Sequence, residues 1–463
     1  MTGLRSCDVA VIGAGPAGTA AALRAADLGA RTVLVTRGAF GGMAANDGPI
    51  PVRTLAHAAR LLREARQLPC YGIDVGDPAL DYEQLLARAR EVVMETAAHS
   101  TLRAQIDRAR VTVYEHAGSA RFVDPNTLES ERAPAIHAGK IIICAGGISR
   151  CLNLPGFENT VTPADAFGLG AVPRSLLVVG AGATGAQVAS IFNAFGAQIT
   201  LLQAGPRILP TEDELVSSTM AQAFREDGIE VHEDFGAIER FEATPNGIRM
   251  IFSKDGVQKS AEAELAVSAV GWVADTESLN LAAAGVELDE RGRVRVDDGM
   301  QTSADHIFAA GDITGRMMLV PQAVRNGFLA ATNAVGKERV RLRASVDPIG
   351  SFTDPEYAQV GLTEAAARAT HDVLIAVADY SETTRPIIDG RTRGFCKLVV
   401  DSQTRRLLGC HIVGERAVEV AQMAAIAMTA KLAVDDLARV PLSFPTYANV
   451  LGRAALRAVR MLN

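Results

Sequence analysis

The sequence predicts a mixed α/β chain in which two units of one design, each a parallel sheet between helices, are followed by an α+β module. Three observations predict it. An apolar run at 9–12 enters Gly13-Ala-Gly15-Pro16-Ala-Gly18 and an alanine-rich helix to about residue 28. A second run, 176–179, enters Gly180-Ala-Gly182-Ala-Thr-Gly185 and a helix to about residue 195. From about residue 345 the pattern changes to antiparallel strands and two or three helices. In each turn the first glycine permits the bend and the second lets backbone approach a pyrophosphate. The third lets helix pack on strand, and the helix N-terminus supplies N–H groups and positive dipole. The repeat extends past the glycines, because a strand follows each helix, at Thr32–Val35 and 198–202. The residue that closes it lies 23 positions after the first glycine in both cases, Gly13 to Thr36 and Gly180 to Gln203. Two Rossmann-like three-layer domains, one dinucleotide in each, are the expectation.

At 463 residues the chain has room for about three domains. A net charge of -7 gives no basic footprint for nucleic acid, and 48% hydrophobic with 21% charged residues is ordinary for a globular protein. No apolar run approaches the ~20 residues of a membrane span, and the first strand starts almost at the N-terminus. No membrane anchor and a cytoplasmic location are therefore expected. The six cysteines and eight histidines show no metal-ligand spacing, so no metal site is expected.

Between the glycine turns, periodicity predicts a helix over 54–67, a helix or helix pair over 81–107 and short strands at 111–114 and 119–123. An apolar strand at 140–143 ends in Cys144-Ala145-Gly146-Gly147. After the second turn, strands near Glu230, Ile248 and Glu264 lead to Gly271. Then come Thr302-Ser-Ala-Asp-His-Ile-Phe-Ala-Ala-Gly311-Asp312 and Met318-Leu319-Val-Pro-Gln-Ala323, with Gly327 beyond.

Taken together these motifs resemble the pyridine nucleotide-disulfide oxidoreductases, the family of dihydrolipoamide dehydrogenase, glutathione reductase and mercuric reductase, over essentially 8–458. The resemblance implies an FAD-binding domain at 1–150 and 273–343, an NAD(P)-binding domain at 151–272 and a dimerisation domain at 344–463. For FAD it implies Gly13, Gly15, Pro16 and Gly18 at the pyrophosphate. Thr36, a hydroxyl in place of the usual ribose-binding carboxylate, and Arg37 would lie at the adenosine. Gly42, Arg53, Ser119, Ala145 and Gly146 line the rest, with Gly311 and Asp312 at the ribityl chain and Met318, Leu319 and Ala323 beside the isoalloxazine. Asp312 as a plain helix N-cap is the alternative. For the nicotinamide dinucleotide it implies Gly180, Gly182, Gly185, Gln203, Arg207 and Gly271. Gln203 removes the charge that repels a 2′-phosphate and Arg207 is the nearest cation to attract one, so NADH and NADPH both stand.

Departures from the family pattern are concentrated in its thiol chemistry. The family's Gly-Gly pair is followed by two cysteines with four residues between them; Ala44 and Pro49 occupy those positions. Its last motif holds a His and, five residues on, a Glu; here they are Phe444 and Asn449. The lysine beside flavin N5 is Arg53, its glutamate partner is Gln187, and Ala183 replaces an aromatic over the nicotinamide pocket. What remains is an FAD-dependent NAD(P)H:acceptor oxidoreductase, passing hydride to flavin and on to a small-molecule, non-disulfide, quinone-like acceptor. Ala44, Ala45, Pro49 and, across a homodimer, Phe444 would line the acceptor side. A soluble pyridine nucleotide transhydrogenase and a non-catalytic flavoprotein with a sensing or partner-binding role are the alternatives. Asn46 and Asp47 are expected to cap the next helix, with contact to the substrate as the alternative. Cys144 and Cys151 are expected to be small hydrophobes, with a secondary redox role as the alternative.

Overall fold

The computed structural model describes residues 4–342 and 346–463. Contacts divide the chain into two compact units, Met1–Leu55 with Glu83–Arg150 and Gly271–Arg343, and Ala56–Tyr82 with Cys151–Val270 and Ala344–Asn463. The expected boundary between 343 and 344 lies outside the described residues.

In the first unit, parallel strands Thr112–Tyr114, Thr32–Val35, Arg5–Ile12 and Ile136–Ile143 lie in that order. Ile307–Ala309 pairs with the C-terminal half of Ile136–Ile143, while its N-terminal half takes the antiparallel pair Thr127–Glu129 and Arg121–Asp124. Ile141 and Ile143 pack into one core and Ile142 into another on the opposite face, as a parallel sheet buried on both sides requires. Helices Pro16–Asp27 and Val320–Val335 cross at Gly327, where an added Cβ would lie 2.0 Å from the Ala17 carbonyl oxygen.

The second unit holds a parallel sheet in the order Glu230–Glu233, Gln198–Gln203, Ser175–Val179, Leu265–Ser268, and an antiparallel meander, Ala237–Thr244, Gly247–Lys254, Val257–Ala263. Only the middle strand of the meander is expected from sequence. The first flanking strand is half-buried and the last mostly exposed; both are broken up by charged residues and lack the apolar run that marks a buried strand. A five-stranded antiparallel sheet, Ile349–Ser351, Tyr357–Gly361, Leu407–Val413, Phe395–Asp401, Val373–Asp379, completes the unit.

Three expectations are corrected. The helix expected over 54–67 runs Pro49–Gln67, because Pro49 presets its first turn. Asn46 does not cap that helix. Its amide turns back to the carbonyls of Phe40 and Gly42, at 3.2 and 2.9 Å, and closes the preceding turn. Segment 56–82, expected with the first domain, belongs to the second unit. There Arg63 donates to the Ser190 carbonyl at 2.7 Å, and Gln67 and Tyr71 donate to the carbonyls of Asp389 and Ile388 at 3.1 and 2.7 Å.

Candidate functional site

Three backbone turns of the first unit meet at the C-terminal edge of its parallel strands. Gly13 has φ of 97°, and a Cβ on it would lie 2.2 Å from the Cys144 carbonyl oxygen and 3.4 Å from Ala145 Cα. A Cβ on Gly18 would lie 1.8 Å from the Gly13 carbonyl oxygen, and one on Gly42 2.8 Å from Gly15 Cα. These glycines are demanded by the protein's own packing. Gly15 is not, for a Cβ there meets nothing within 4 Å. The open space in front of it is what close approach of a pyrophosphate needs, at the N-terminus of the helix Pro16–Asp27.

The third turn brings Gly311 and Asp312 to the same edge. A Cβ on Gly311 would lie 3.0 Å from that of Ala17 and 3.6 Å from that of Ala323, and one on Gly147 would lie 3.5 Å from Asp312 Cβ. The Asp312 carbonyl accepts the Gly315 N–H at 2.9 Å, but its carboxylate has no hydrogen bond or ion pair among the described residues, and burial raises its pKa. A carboxylate so placed needs a donor from outside the chain, which hydroxyls of a ribityl chain supply. It does not cap the turn it begins, Asp312–Thr314. The first unit therefore fits FAD. Gly146, with φ of 85°, lies beside Ala145, and Met318 and Leu319 are half-buried just before Val320–Val335. Thr36 is buried at its strand end. Arg37, next to it, is exposed and paired with Asp275 at 3.1 Å, and half-buried Ser119 follows the Gly118 bend. Pro49 and Arg53 lie on the first turns of Pro49–Gln67, Pro49 exposed and Arg53 half-buried.

The second unit repeats the device. A Cβ on Gly180 would lie 2.4 Å from the Ala269 carbonyl oxygen, and one on Gly185 1.8 Å from the Gly180 carbonyl oxygen, while Gly182 again meets nothing within 4 Å. Here Gln203 reaches back to the turn, its Oε1 accepting the Ala181 N–H at 2.9 Å. Its amide nitrogen remains a donor at the strand end. The neighbouring acids are compensated, Glu233 by Arg225 at 2.8 Å and Asp234 by Lys254 at 2.6 Å. Arg207 is not held out toward solvent as a phosphate hook. It donates to the Pro210 and Glu212 carbonyls of its own loop, at 3.3 and 3.0 Å. Gln187 folds onto its own helix, donating to the Ala183 carbonyl at 3.3 Å. Gly271, expected at this dinucleotide, belongs to the first unit, where its carbonyl accepts the Arg150 N–H at 2.9 Å.

In the loop 443–449, Phe444 is 75% exposed. The Asn449 side-chain oxygen, in the first turn of the helix Ala448–Leu462, accepts the Thr446 N–H at 2.9 Å and so ties the loop to that helix. Sequence reasoning missed Leu209, whose N–H donates to the Ala181 carbonyl at 2.7 Å. Nothing in the run Arg207-Ile-Leu-Pro signals that role. Among the described residues no group of three or more His, Cys, Asp or Glu is placed to hold a metal ion, and no helix is long and apolar enough to cross a membrane.

Residues 7–327 match the family model for pyridine nucleotide-disulphide oxidoreductases, and residues 348–455 match that family's dimerisation domain. The chain belongs to this family. It is 31% identical to a mercuric reductase of Lysinibacillus sphaericus, over 97% of this chain and 82% of that one. It is 32% identical to a dihydrolipoyl dehydrogenase of Zymomonas mobilis, over 97% of each. Its structure resembles the Cu(II) complex of the HOCl-induced flavoprotein disulfide reductase RclA from Escherichia coli, with a TM-score of 0.87 and 25% identity over 98% of this chain and 99% of that one. As a family member the chain is an FAD-dependent oxidoreductase linked to NAD(P)H.

Proposed function

We propose that this chain is a homodimeric, cytoplasmic flavoenzyme that oxidises NADH or NADPH and passes the electrons directly to a flat, quinone-like acceptor, with no protein thiol between. The observation that carries this reading is the thiol inventory of the first unit. The family's cysteine positions are Ala44 and Pro49, and the unit's two thiols, Cys7 and Cys144, are buried. Burial pushes their pKa values up to about 11 and about 12. Such thiols are neither ionised nor reachable, so they do not relay electrons, and a redox role for Cys144 is disfavoured with them; Cys151, expected to be a small buried hydrophobe, is instead exposed.

FAD, when bound, takes two electrons from NAD(P)H and returns them to the acceptor. The chain's own residues bind and orient. Gly15 and Gly182 leave room for the two pyrophosphates, Asp312 accepts hydroxyl donors, and Gln203 offers a neutral amide at the nucleotide's ribose. Arg53 keeps a cation where the family has lysine. Ala44, Ala45 and Pro49, with Phe444 of the partner subunit, offer small apolar faces and one aromatic ring to a planar acceptor. Turnover of the holoprotein with NADH or NADPH tests this. A quinone should restore continuous oxidation of the nucleotide, while lipoamide and glutathione disulfide should not. Disulfide reduction without quinone reduction would overturn it. One observation favours a second reading, transhydrogenation: the neutral Gln203 amide suits both nucleotides, and NADPH would then reduce an NAD analogue.

A further inference from the structure

Leu209 is 1% exposed with φ of 48°, a left-handed conformation that a branched side chain rarely adopts. Such a conformation persists where its surroundings over-determine it. The Leu209 N–H holds the Ala181 carbonyl of the second glycine turn at 2.7 Å. Its own carbonyl accepts the Glu212 N–H at 3.0 Å and the Ser217 hydroxyl at 2.9 Å. The loop ends at Asp213, which accepts the Leu215 N–H at 3.1 Å and so caps Glu214–Glu226. Beyond this the anchorage comes from the C-terminal sheet. Lys397, buried within the strand Phe395–Asp401, places its Nζ 2.7 Å from Asp213 Oδ1 and 2.7 Å from Glu364 Oε2. The Glu364 N–H donates to Asp213 Oδ2 at 3.0 Å. His411 lies directly across the sheet from Lys397 and donates from Nε2 to the Leu362 carbonyl at 2.9 Å.

We infer that Lys397 is a positioning residue for the nicotinamide dinucleotide: from the C-terminal sheet it fixes Asp213, and through the Leu209 loop it holds the glycine turn at Ala181 in its binding shape. Buried ion pairs are often replaceable by apolar residues without loss of stability, and in some proteins their use is to select one geometry, which is the use inferred here. Removing the ammonium leaves the Asp213 carboxylate buried without its cation, while half-buried Glu364 keeps Arg368 at 2.8 Å. The capping end of the loop then moves, Leu209 relaxes, and Ala181 loses its donor. This role rests on the second turn being the NAD(P)H cradle, and the test separates the two.

Calorimetric titration of oxidised, FAD-loaded protein with NADP+ and with NAD+ reads the affinity directly. Lys397→Met should raise the dissociation constant roughly tenfold, a typical size for coupling between sites. Lys397→Arg should restore most of the affinity, and Asp213→Asn, which keeps the helix cap, should fall between. FAD content and the flavin spectrum should stay as in the parent, and amide exchange should rise in peptides covering 203–213. Arg405→Met is the control. It breaks the Arg405–Asp435 pair elsewhere in the same sheet region, 2.6 Å apart, and should leave the affinity at the parent value. Parent-like affinity in folded Lys397→Met and Asp213→Asn would overturn the inference, as would an equal loss in Arg405→Met. If Lys397→Met does not fold, Asp213→Asn decides. A parent protein that binds neither nucleotide would remove the cradle reading as well.

Discussion

Gly41 and Leu209 do the same job at the two glycine turns. Each donates its N–H to the alanine carbonyl that follows the first glycine, Gly41 to Ala14 at 3.0 Å and Leu209 to Ala181 at 2.7 Å. Each adopts positive φ to do so, 98° and 48°. In the first turn glycine makes that conformation cheap, while in the second a leucine is forced into it and held by the network behind it. The strand ends differ in the same sense. Gln203 closes its turn by accepting the Ala181 N–H, whereas Thr36 does not reach back, and the Ala14 N–H has no acceptor among the described residues. The glycine motif therefore fixes the backbone plan of both turns. Residues outside it supply the further hydrogen bonds that hold each turn.

The strongest way to break the comparison is to spoil each turn alone. Gly18→Ala and Gly185→Ala each put a methyl 1.8 Å from a carbonyl oxygen, an overpacking cost of about 1–3 kcal/mol or more. Gly18→Ala should yield protein depleted of FAD, and Gly185→Ala yellow protein that NADH and NADPH leave oxidised, as absorbance spectra would reveal. Loss of FAD from Gly185→Ala would mean that the turns are not independent.

Acid in the second loop gives the next largest effect. Burial pushes the Glu212 pKa up to about 7, above its unfolded value near 4.3. The folded protein then binds the proton more tightly than the unfolded chain. The resulting stability is full below about pH 4.3 and is lost as pH rises through about 7, on the order of a few kcal/mol. Thermal unfolding at pH 5 and pH 8 should show it, and Glu212→Gln should flatten the profile.

Nucleotide choice should follow Gln203. Gln203→Glu keeps an acceptor for Ala181 but places a negative charge where the amide was, and should turn preference toward NADH by about tenfold in the ratio of dissociation constants, ~1.4 kcal/mol. An unchanged ratio would show that the strand end does not meet the ribose. The smallest change is Gly41→Ala, which imposes a left-handed alanine whose Cβ lies 2.7 Å from that of Ala45. It should lower stability by about 1–2 kcal/mol, measured in urea, and weaken FAD retention without touching nicotinamide affinity.

Much of this fold was legible because its signals are local and repeated. The two glycine runs, the apolar strand 140–143 and the Gly311-Asp312 pair each carry their meaning in a few adjacent residues. The antiparallel meander was half hidden, since strands broken up by charged residues look like loops. Asn46 was misread because an Asn-Asp-Gly-Pro string suits several turns, and only the positions of the Phe40 and Gly42 carbonyls choose among them. Sequence offers Arg207 as the nearest cation for a 2′-phosphate, and only the positions of the Pro210 and Glu212 carbonyls show it turned to its own loop. The tie from Lys397 to Asp213 spans 184 positions of chain, and no sequence period announces it.

Counting electrons tests the central claim most directly. Holoprotein titrated anaerobically with NADH or NADPH should bleach completely after one equivalent per flavin, with no long-wavelength band, and a stoichiometric quinone should restore the oxidised spectrum. Uptake of a second equivalent, or a thiolate-to-flavin band at the midpoint, would reveal a redox-active thiol pair and contradict direct transfer to the acceptor.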